Sequence, residues 1–400
     1  MLDKPPHEIE NIKLSRQGLD RLDWVRERMP ILQQLKTDFA KSKPFAGKRI
    51  GICLHVEAKT GIWLETLIAG GAEIAIAGSP GTTQDEVAAV LVKEYGVQVF
   101  TKRSESFEQH LEYVARVLST GPDLIADNGA DIHMLALTDA DYAAQKSNII
   151  GATEETTTGA FRLREDTDKH TFPTIVINDT RAKRIIENRY GVGQSVVDAI
   201  MRCSNLLIGG KKVTVVGYGY CGQGVARDLR GLGAHVTVVD IDPLTRLEAH
   251  IEGYTTSELE NALPSADIVI TLTGRPGAIS REHLTLLKDG VVLCNAGHFE
   301  TEIDLPALRE SSGQAKQIMP NIEKFILDNG KAVYLLAKGN LVNLAGGDGN
   351  PIEVMDLGLA LQSLSLAYLA KNSDTLAVGP QTVPREIEND VANRTLAAWT

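Results

Sequence analysis

GGKKVTVVGYGYCGQGVARDLRGLGAHVTVVD, residues 209–240, reads as a strand, a glycine-rich turn, a helix and a second strand. Each part has a physical task. Gly217 permits the tight turn, Gly219 lets the backbone approach a pyrophosphate, Gly222 allows the helix to pack closely, and the helix N-terminus favours an anion. Asp240 ends the second strand, about 18 residues beyond Gly222, where a carboxylate suits the ribose hydroxyls of NAD and repels the 2′-phosphate of NADP. Glycine-rich turns alone are common at strand ends. Here strand, turn, helix, second strand and terminal acid agree, which predicts a Rossmann unit holding NAD.

The alternation continues on both sides. Downstream lie DIVITLTG (267–274), VVLCNAGH (291–298) and AVYLLAKG (332–339), which extend the NAD domain over 190–345. Upstream, KRIGICLH (48–55), AEIAIAGS (72–79), VQVFT (97–101), DLIADNG (123–129), NIIGATEE (148–155) and FPTIVIND (172–179) predict a parallel α/β layer over residues 1–180. Most of these runs end at or beside Gly, Asp, Glu or His, at the strand ends where open α/β sheets bind ligands. A long helical stretch, 182–207, connects the two halves, and VMDLGLALQSLSLAYLAK (354–371) predicts an amphipathic helix packed on another surface. The expected architecture is α/β with two domains. A Rossmann NAD-binding domain is inserted in an α/β substrate-binding domain (1–180 plus 350–380), followed by a C-terminal helical segment and a short tail, 381–400.

Composition narrows the function. Four hundred residues exceed one compact core, and 43% hydrophobic with 23% charged residues fits a globular enzyme. A net charge of −11, with no basic run interleaved with aromatics, argues against nucleic acid as a partner. No leader and no unbroken apolar span is evident, so a cytoplasmic protein without a membrane partner is expected. Cys53, Cys203, Cys221 and Cys294 form no C-x-x-C pair; neither a disulfide framework nor a metal site is expected.

Other runs are polar loops by pattern alone: CLHVEAKT (53–60), TTQDE (82–86), ADNGAD (126–131), GATEETTTGA (151–160) and INDTRAKRIIENRYG (177–191). With GYGYCGQG (217–224), DIDP (240–243), NAGHFETEID (295–304) and KGNLVNL (338–344), they resemble the S-adenosylhomocysteine hydrolase family in order and spacing over nearly the whole chain. The resemblance implies a tightly held NAD that oxidises a nucleoside's ribose 3′-hydroxyl, which acidifies the C4′ hydrogen. The 5′ substituent is then eliminated, water adds, and the hydride is returned.

By that resemblance Glu155 would hold the ribose hydroxyls, Lys183 would be the base at O3′ with Glu187 as its charge partner, and Asp127 would handle the C4′ proton. His55 and His298 would manage the leaving group and water. Thr156, Thr157, Thr158, Asn188, Thr273, Asn295 and Asn343 would join Gly217, Gly219, Gly222 and Asp240 at the cofactor. Thr60, Gln84, Asp85 and Asn350 would contact substrate. Taken singly these residues have plainer readings: a histidine capping a strand, loop carboxylates bonding amides, a solvated lysine. His133 and His235 are read as structural. The resemblance also implies a homo-oligomer, tetramer or dimer.

Departures from the family pattern cluster at the substrate: Ala126-Asp127 for a pair of acids, Glu187 for an aspartate, Asn350 for a histidine, and an altered stretch at Ser79–Asp85. The family's Lys- and Tyr-bearing tail is missing. Two alternatives are therefore carried: a paralogous dehydratase expelling a 5′-hydroxyl to give a 4′,5′-unsaturated nucleoside, and an NAD-binding regulator without activity. A thiolate leaves with little help, whereas hydroxide needs a well-placed acid.

Overall fold

Short β-branched runs bounded by glycines and acids form sixteen strands among the described residues. The computed structural model describes residues 5–165, 169–297, 300–312 and 315–400. In chain order the strands are β1 His7–Glu8, β2 Arg49–Cys53, β3 Glu73–Ala77, β4 Gln98–Phe100, β5 Leu124–Asp127, β6 Gly151–Glu154 and β7 Pro173–Val176. They continue as β8 Lys212–Val216, β9 His235–Val239, β10 Thr255–Thr256, β11 Ile268–Thr271, β12 Val291–Asn295, β13 Lys316–Met319, β14 Ile322–Ile326, β15 Ala332–Leu336 and β16 Gly379–Thr382. The chain divides into two compact units, Met1–Lys183 with Ile352–Thr400, and Arg184–Pro351.

The first unit holds an eight-stranded sheet in the order β1-β4-β3-β2-β5-β6-β7-β16, every neighbouring pair parallel. Strands run outward from β2 in one direction and from β5 in the other, so the topological switch point lies between them. Ligands of such sheets bind beyond the carboxyl ends at that point, and His55 follows β2 while Asp127 ends β5. The second unit orders its strands β10-β9-β8-β11-β12-β15-β14-β13. Its first six follow the dinucleotide-binding order 3-2-1-4-5-6. An antiparallel edge, β14 and β13 added beside β15, completes it; the sequence pattern leaves these two strands unassigned.

Three stretches differ from expectation. The expected helical stretch 182–207 is helical without a break to Ser204, but Lys183–Gly191 is π-helical and Val192–Ser204 α-helical. The wider turns fall where the expected site residues Lys183, Glu187 and Asn188 lie, a common place for π geometry. The helix Ile352–Asn372 is not amphipathic in the ordinary sense. It is buried on nearly every side, because β6 and the helices Pro30–Ser42, Ala58–Ala69 and Arg385–Trp399 all pack on it. Residues 381–400 complete β16, which extends the sheet beside β7, and supply the packed helix Arg385–Trp399.

The core helix is long and apolar enough to cross a membrane, but 67% of its most apolar window is buried inside the fold. It also carries buried Asp356, Gln362, Ser363 and Ser365. Asp356 caps the helix Pro30–Ser42, its Oδ2 accepting from Ile31 N at 2.9 Å and its Oδ1 from Leu32 N at 2.8 Å. Two of the orphan N–H groups of that helix are thereby satisfied. Burial pushes the Asp356 carboxyl up to about 7. Because the folded value lies above the ordinary one, the group stabilises most in acid and loses that contribution as pH rises to about 7. Asp356→Ala is expected to destabilise the protein by about 2–3 kcal/mol in denaturant titrations, with a larger deficit near about pH 5 than near about pH 8.

Candidate active site

At the carboxyl edge of the first sheet, β5 and β6 end side by side, with Asp127 in register opposite Glu154. Side chains alternate across a strand, so the residues that follow, Asn128 and Glu155, leave in another direction from this pair. Glu155 is 2% exposed and Lys183 5%. Glu155 Oε1 accepts from Lys183 Nζ at 3.2 Å, and Oε2 from Asn128 Nδ2 at 3.2 Å. Thr180 holds the start of the π-helical segment by accepting at Oγ1 from Lys183 N, 3.0 Å. The result is a buried ammonium–carboxylate pair oriented by an amide.

Asp127, expected at C4′, bonds elsewhere. It is fully buried; Oδ1 accepts from Asn128 N at 3.1 Å, and Oδ2 from His133 N at 3.0 Å and faces His133 Nδ1 at 2.9 Å. Asn128, passed over in the sequence, is the residue that reaches Glu155. Glu154 was likewise missed. Its Oε1 accepts from Gly129 N at 3.0 Å and Thr156 N at 2.8 Å, tying together the loops that carry Asn128 and Glu155. Burial, and then the charge of Asp127, hold the Glu154 carboxyl protonated well above the usual carboxylate range.

His55 is half-buried after β2. Its Nδ1 lies 2.9 Å from Thr82 Oγ1, whose single proton goes to the Ser79 carbonyl at 2.9 Å. The hydroxyl can therefore only accept from Nδ1–H, and the neutral ring presents Nε2 as its acceptor nitrogen. Thr60 donates to the His55 carbonyl at 2.7 Å and Gln84 Oε1 accepts from Ala58 N at 3.2 Å, so both shape the loop that carries the histidine. Asp85 Oδ1 accepts from Arg103 N, and burial raises its pKa. Thr156 is half-buried, Thr157 is exposed and bonded to Asn178, and Thr158 is buried.

In the second unit, Gly217 has φ +99° and an added Cβ would lie 2.8 Å from the Leu272 carbonyl oxygen, so only glycine fits the turn. A Cβ on Gly222 would lie 2.0 Å from Gly217 O, whereas one on Gly219 meets nothing within 4 Å. That open backbone precedes the helix Tyr220–Gly231. Asp240 stands after β9 and accepts from Tyr218 N at 2.8 Å and Asp242 N at 2.9 Å.

Farther along, Glu187 is buried, Asn188 half-buried, and Asn350 Nδ2 donates to Glu187 Oε1 at 3.4 Å. Asn343 Nδ2 donates to Ser195 Oγ at 3.1 Å, while its Oδ1 is buried without a hydrogen-bond partner among the described residues. A buried orphan acceptor is costly unless a ligand donor fills it, and a carboxamide N–H of NAD would. Open glycine turn, terminal acid and orphan acceptor together fit the dinucleotide.

Asn295 and Thr273, expected at the cofactor, also hold neighbouring loops. Asn295 is fully buried, its Oδ1 accepting from Gly297 N and its Nδ2 donating to Gly339 O. Thr273 Oγ1 donates to Glu302, a buried carboxylate, missed in the sequence, that also receives Thr273 N and Gly274 N. His298 lies outside the described residues. Cys53, His110 and Asp131 also come together among the described residues. Burial would push His110 down, but Asp131, Cys53 and Glu105 outweigh it and raise it to about 12, so an imidazolium balances the nearby carboxylates.

Two outcomes follow from this geometry. Gly219→Val should fold normally, since no protein atom opposes the side chain, yet weaken NAD binding at least about tenfold in a fluorescence titration. Glu154→Gln, which keeps a neutral acceptor, should change unfolding free energy by under about 1 kcal/mol; Glu154→Ala, which strands two amides, should lower it by about 2–3 kcal/mol.

Known proteins bear on the same residues. The family profile described as "S-adenosyl-L-homocysteine hydrolase, NAD binding domain" matches residues 188–349, and that described as "S-adenosyl-L-homocysteine hydrolase" matches residues 6–140. The S-inosyl-L-homocysteine hydrolase of Methanopyrus kandleri is 45% identical over 96% of this chain and 91% of its own length. The adenosylhomocysteinase of Pyrococcus abyssi is 44% identical, also over 96% and 91%. Among solved structures, a dipicolinate synthase chain from Bacillus halodurans aligns with TM-score 0.50 at 14% identity, covering 82% of this chain and all of that one, a likeness of fold alone. The glycine turn, the buried Lys183–Glu155 pair and these full-length similarities agree: the chain belongs to the S-adenosyl-L-homocysteine hydrolase family.

Proposed function

We propose that this enzyme cleaves S-adenosyl-L-homocysteine reversibly to adenosine and L-homocysteine, with NAD as its cofactor. The observation that carries the reading is the buried Lys183–Glu155 pair at the carboxyl edge of the first sheet, oriented by Asn128. Bound NAD supplies reversible acceptance of a hydride from the ribose 3′ carbon; Gly217, Gly219, Gly222, Asp240 and Asn343 would hold it.

An ammonium bound to a carboxylate is a poor base. Ribose hydroxyls donating to Glu155 would disperse its charge and let Lys183 lose a proton to solvent as substrate binds, fitting it to receive the one on O3′. With Lys183 carrying the O3′ proton, the C4′ proton would go to the Glu155 carboxylate. His55, fixed by Thr82, offers its unprotonated Nε2 to take a proton from incoming water. In this reading residues 1–180 and 350–380 serve substrate and 190–345 serve cofactor. The four free cysteines fit a reducing cytoplasm. Exposed Ile241, Leu244 and Ile251, at 84%, 73% and 77%, support a homo-oligomer, tetramer or dimer.

The Methanopyrus kandleri relative supports a second reading, S-inosyl-L-homocysteine as substrate. The dehydratase and regulator readings gain no support. The test is incubation of the NAD-loaded protein with each thioether and mass spectrometry of the products. Adenosine with homocysteine is expected; inosine with homocysteine alone would transfer the assignment to the second reading, and neither product would overturn both. Lys183→Met should fold but lose about 10²–10⁴-fold in kcat and no longer reduce bound NAD on mixing with substrate, read by absorbance.

A further inference from the structure

The strands β8 and β9 repeat one pattern, KVTVV and HVTVV, in register: Lys212 opposes His235 and Thr214 opposes Thr237. Thr255 on β10 continues the row beside Thr237. Alternation puts these five side chains on one sheet face, while Val213, Val215, Val236 and Val238 face the opposite core. Over that polar face lies a cavity of about 430 Å³, with Arg230 also on its wall. The Arg230 guanidinium is held 4.1 Å above the Tyr254 ring, with Nη1 donating to Glu252 O at 2.8 Å.

No acidic residue lines this cavity, in a chain of net charge −11. Among the described residues, the Thr214, Thr237 and Thr255 hydroxyls make no hydrogen bond, and the Lys212 ammonium and His235 ring have no acidic partner. Thr214 is only 2% exposed and lines this cavity. Cations and hydroxyl donors converging without a carboxylate are a phosphate-binding chemistry. The cavity sits at the amino ends of the strands, whereas Gly217 and Asp240 lie past their carboxyl ends, roughly 16 Å away at 3.3 Å per residue.

We propose that this cavity is a second ligand site, separate from the dinucleotide site, for a small phosphate-bearing anion. The volume suits a ligand up to about the size of a mononucleotide. The threonine row supplies hydroxyl donors to the phosphate oxygens, and Lys212, His235 and Arg230 supply the countercharge.

The test is calorimetric titration of the NAD-saturated protein with inorganic pyrophosphate at fixed ionic strength. Saturable binding at one site per chain is expected, with Kd below about 1 mM. Lys212→Glu, and separately the near-isosteric Thr214→Val with Thr237→Val, should each weaken it at least tenfold while leaving the thermal midpoint and NAD content unchanged. Absence of saturable heat, or binding that neither variant alters, would overturn the proposal.

Discussion

Lys183 and Glu155 hold each other 3.2 Å apart almost wholly out of water, and much of the first unit is arranged to make that tolerable. A buried ion pair repays its desolvation only when the remaining hydrogen-bonding capacity is met. Each Glu155 oxygen has one donor, Lys183 on one side and Asn128 on the other. Behind them stands Glu154, next in the chain, whose burial favours the protonated form and so avoids a second adjacent anion. Removing water from this pair also strengthens every electrostatic interaction that a bound nucleoside would meet there.

The strand ends divide the labour. Asp127 and Glu154, neighbours in register, fasten loops and the His133 ring; Asn128 and Glu155, one residue later, form the oriented group. The sequence shows both acids as equivalent loop carboxylates. Which of two successive residues turns toward a site depends on where the strand releases the chain, and a one-residue offset reverses the direction. Asp127 was therefore legible as belonging to this edge but not as enclosed, and Asn128 carried no signal of its own.

The NAD unit was more legible because backbone geometry there dictates residue type. Gly217, Gly219 and Gly222 have steric reasons that a motif records directly. Asn295, Thr273 and Glu302 do not: a polar side chain that bonds a neighbouring loop looks the same in sequence as one that bonds a ligand, and only three-dimensional accounting of donors and acceptors separates them. The core helix Ile352–Asn372 was hidden for a related reason, since its burial on all sides comes from elements far away in the chain.

The central claim, that proton transfer at the ribose belongs to the Lys183–Glu155 pair and not to Asp127, meets its most direct test in solvent-deuterium exchange at C4′ of recovered adenosine. The NAD-loaded enzyme would be equilibrated with adenosine in heavy water and the nucleoside read by NMR. The account predicts C4′ deuterium with wild type, a loss of exchange in Glu155→Gln, and retained exchange in a folded Asp127→Asn variant. Exchange that survives in Glu155→Gln and vanishes in folded Asp127→Asn would contradict it.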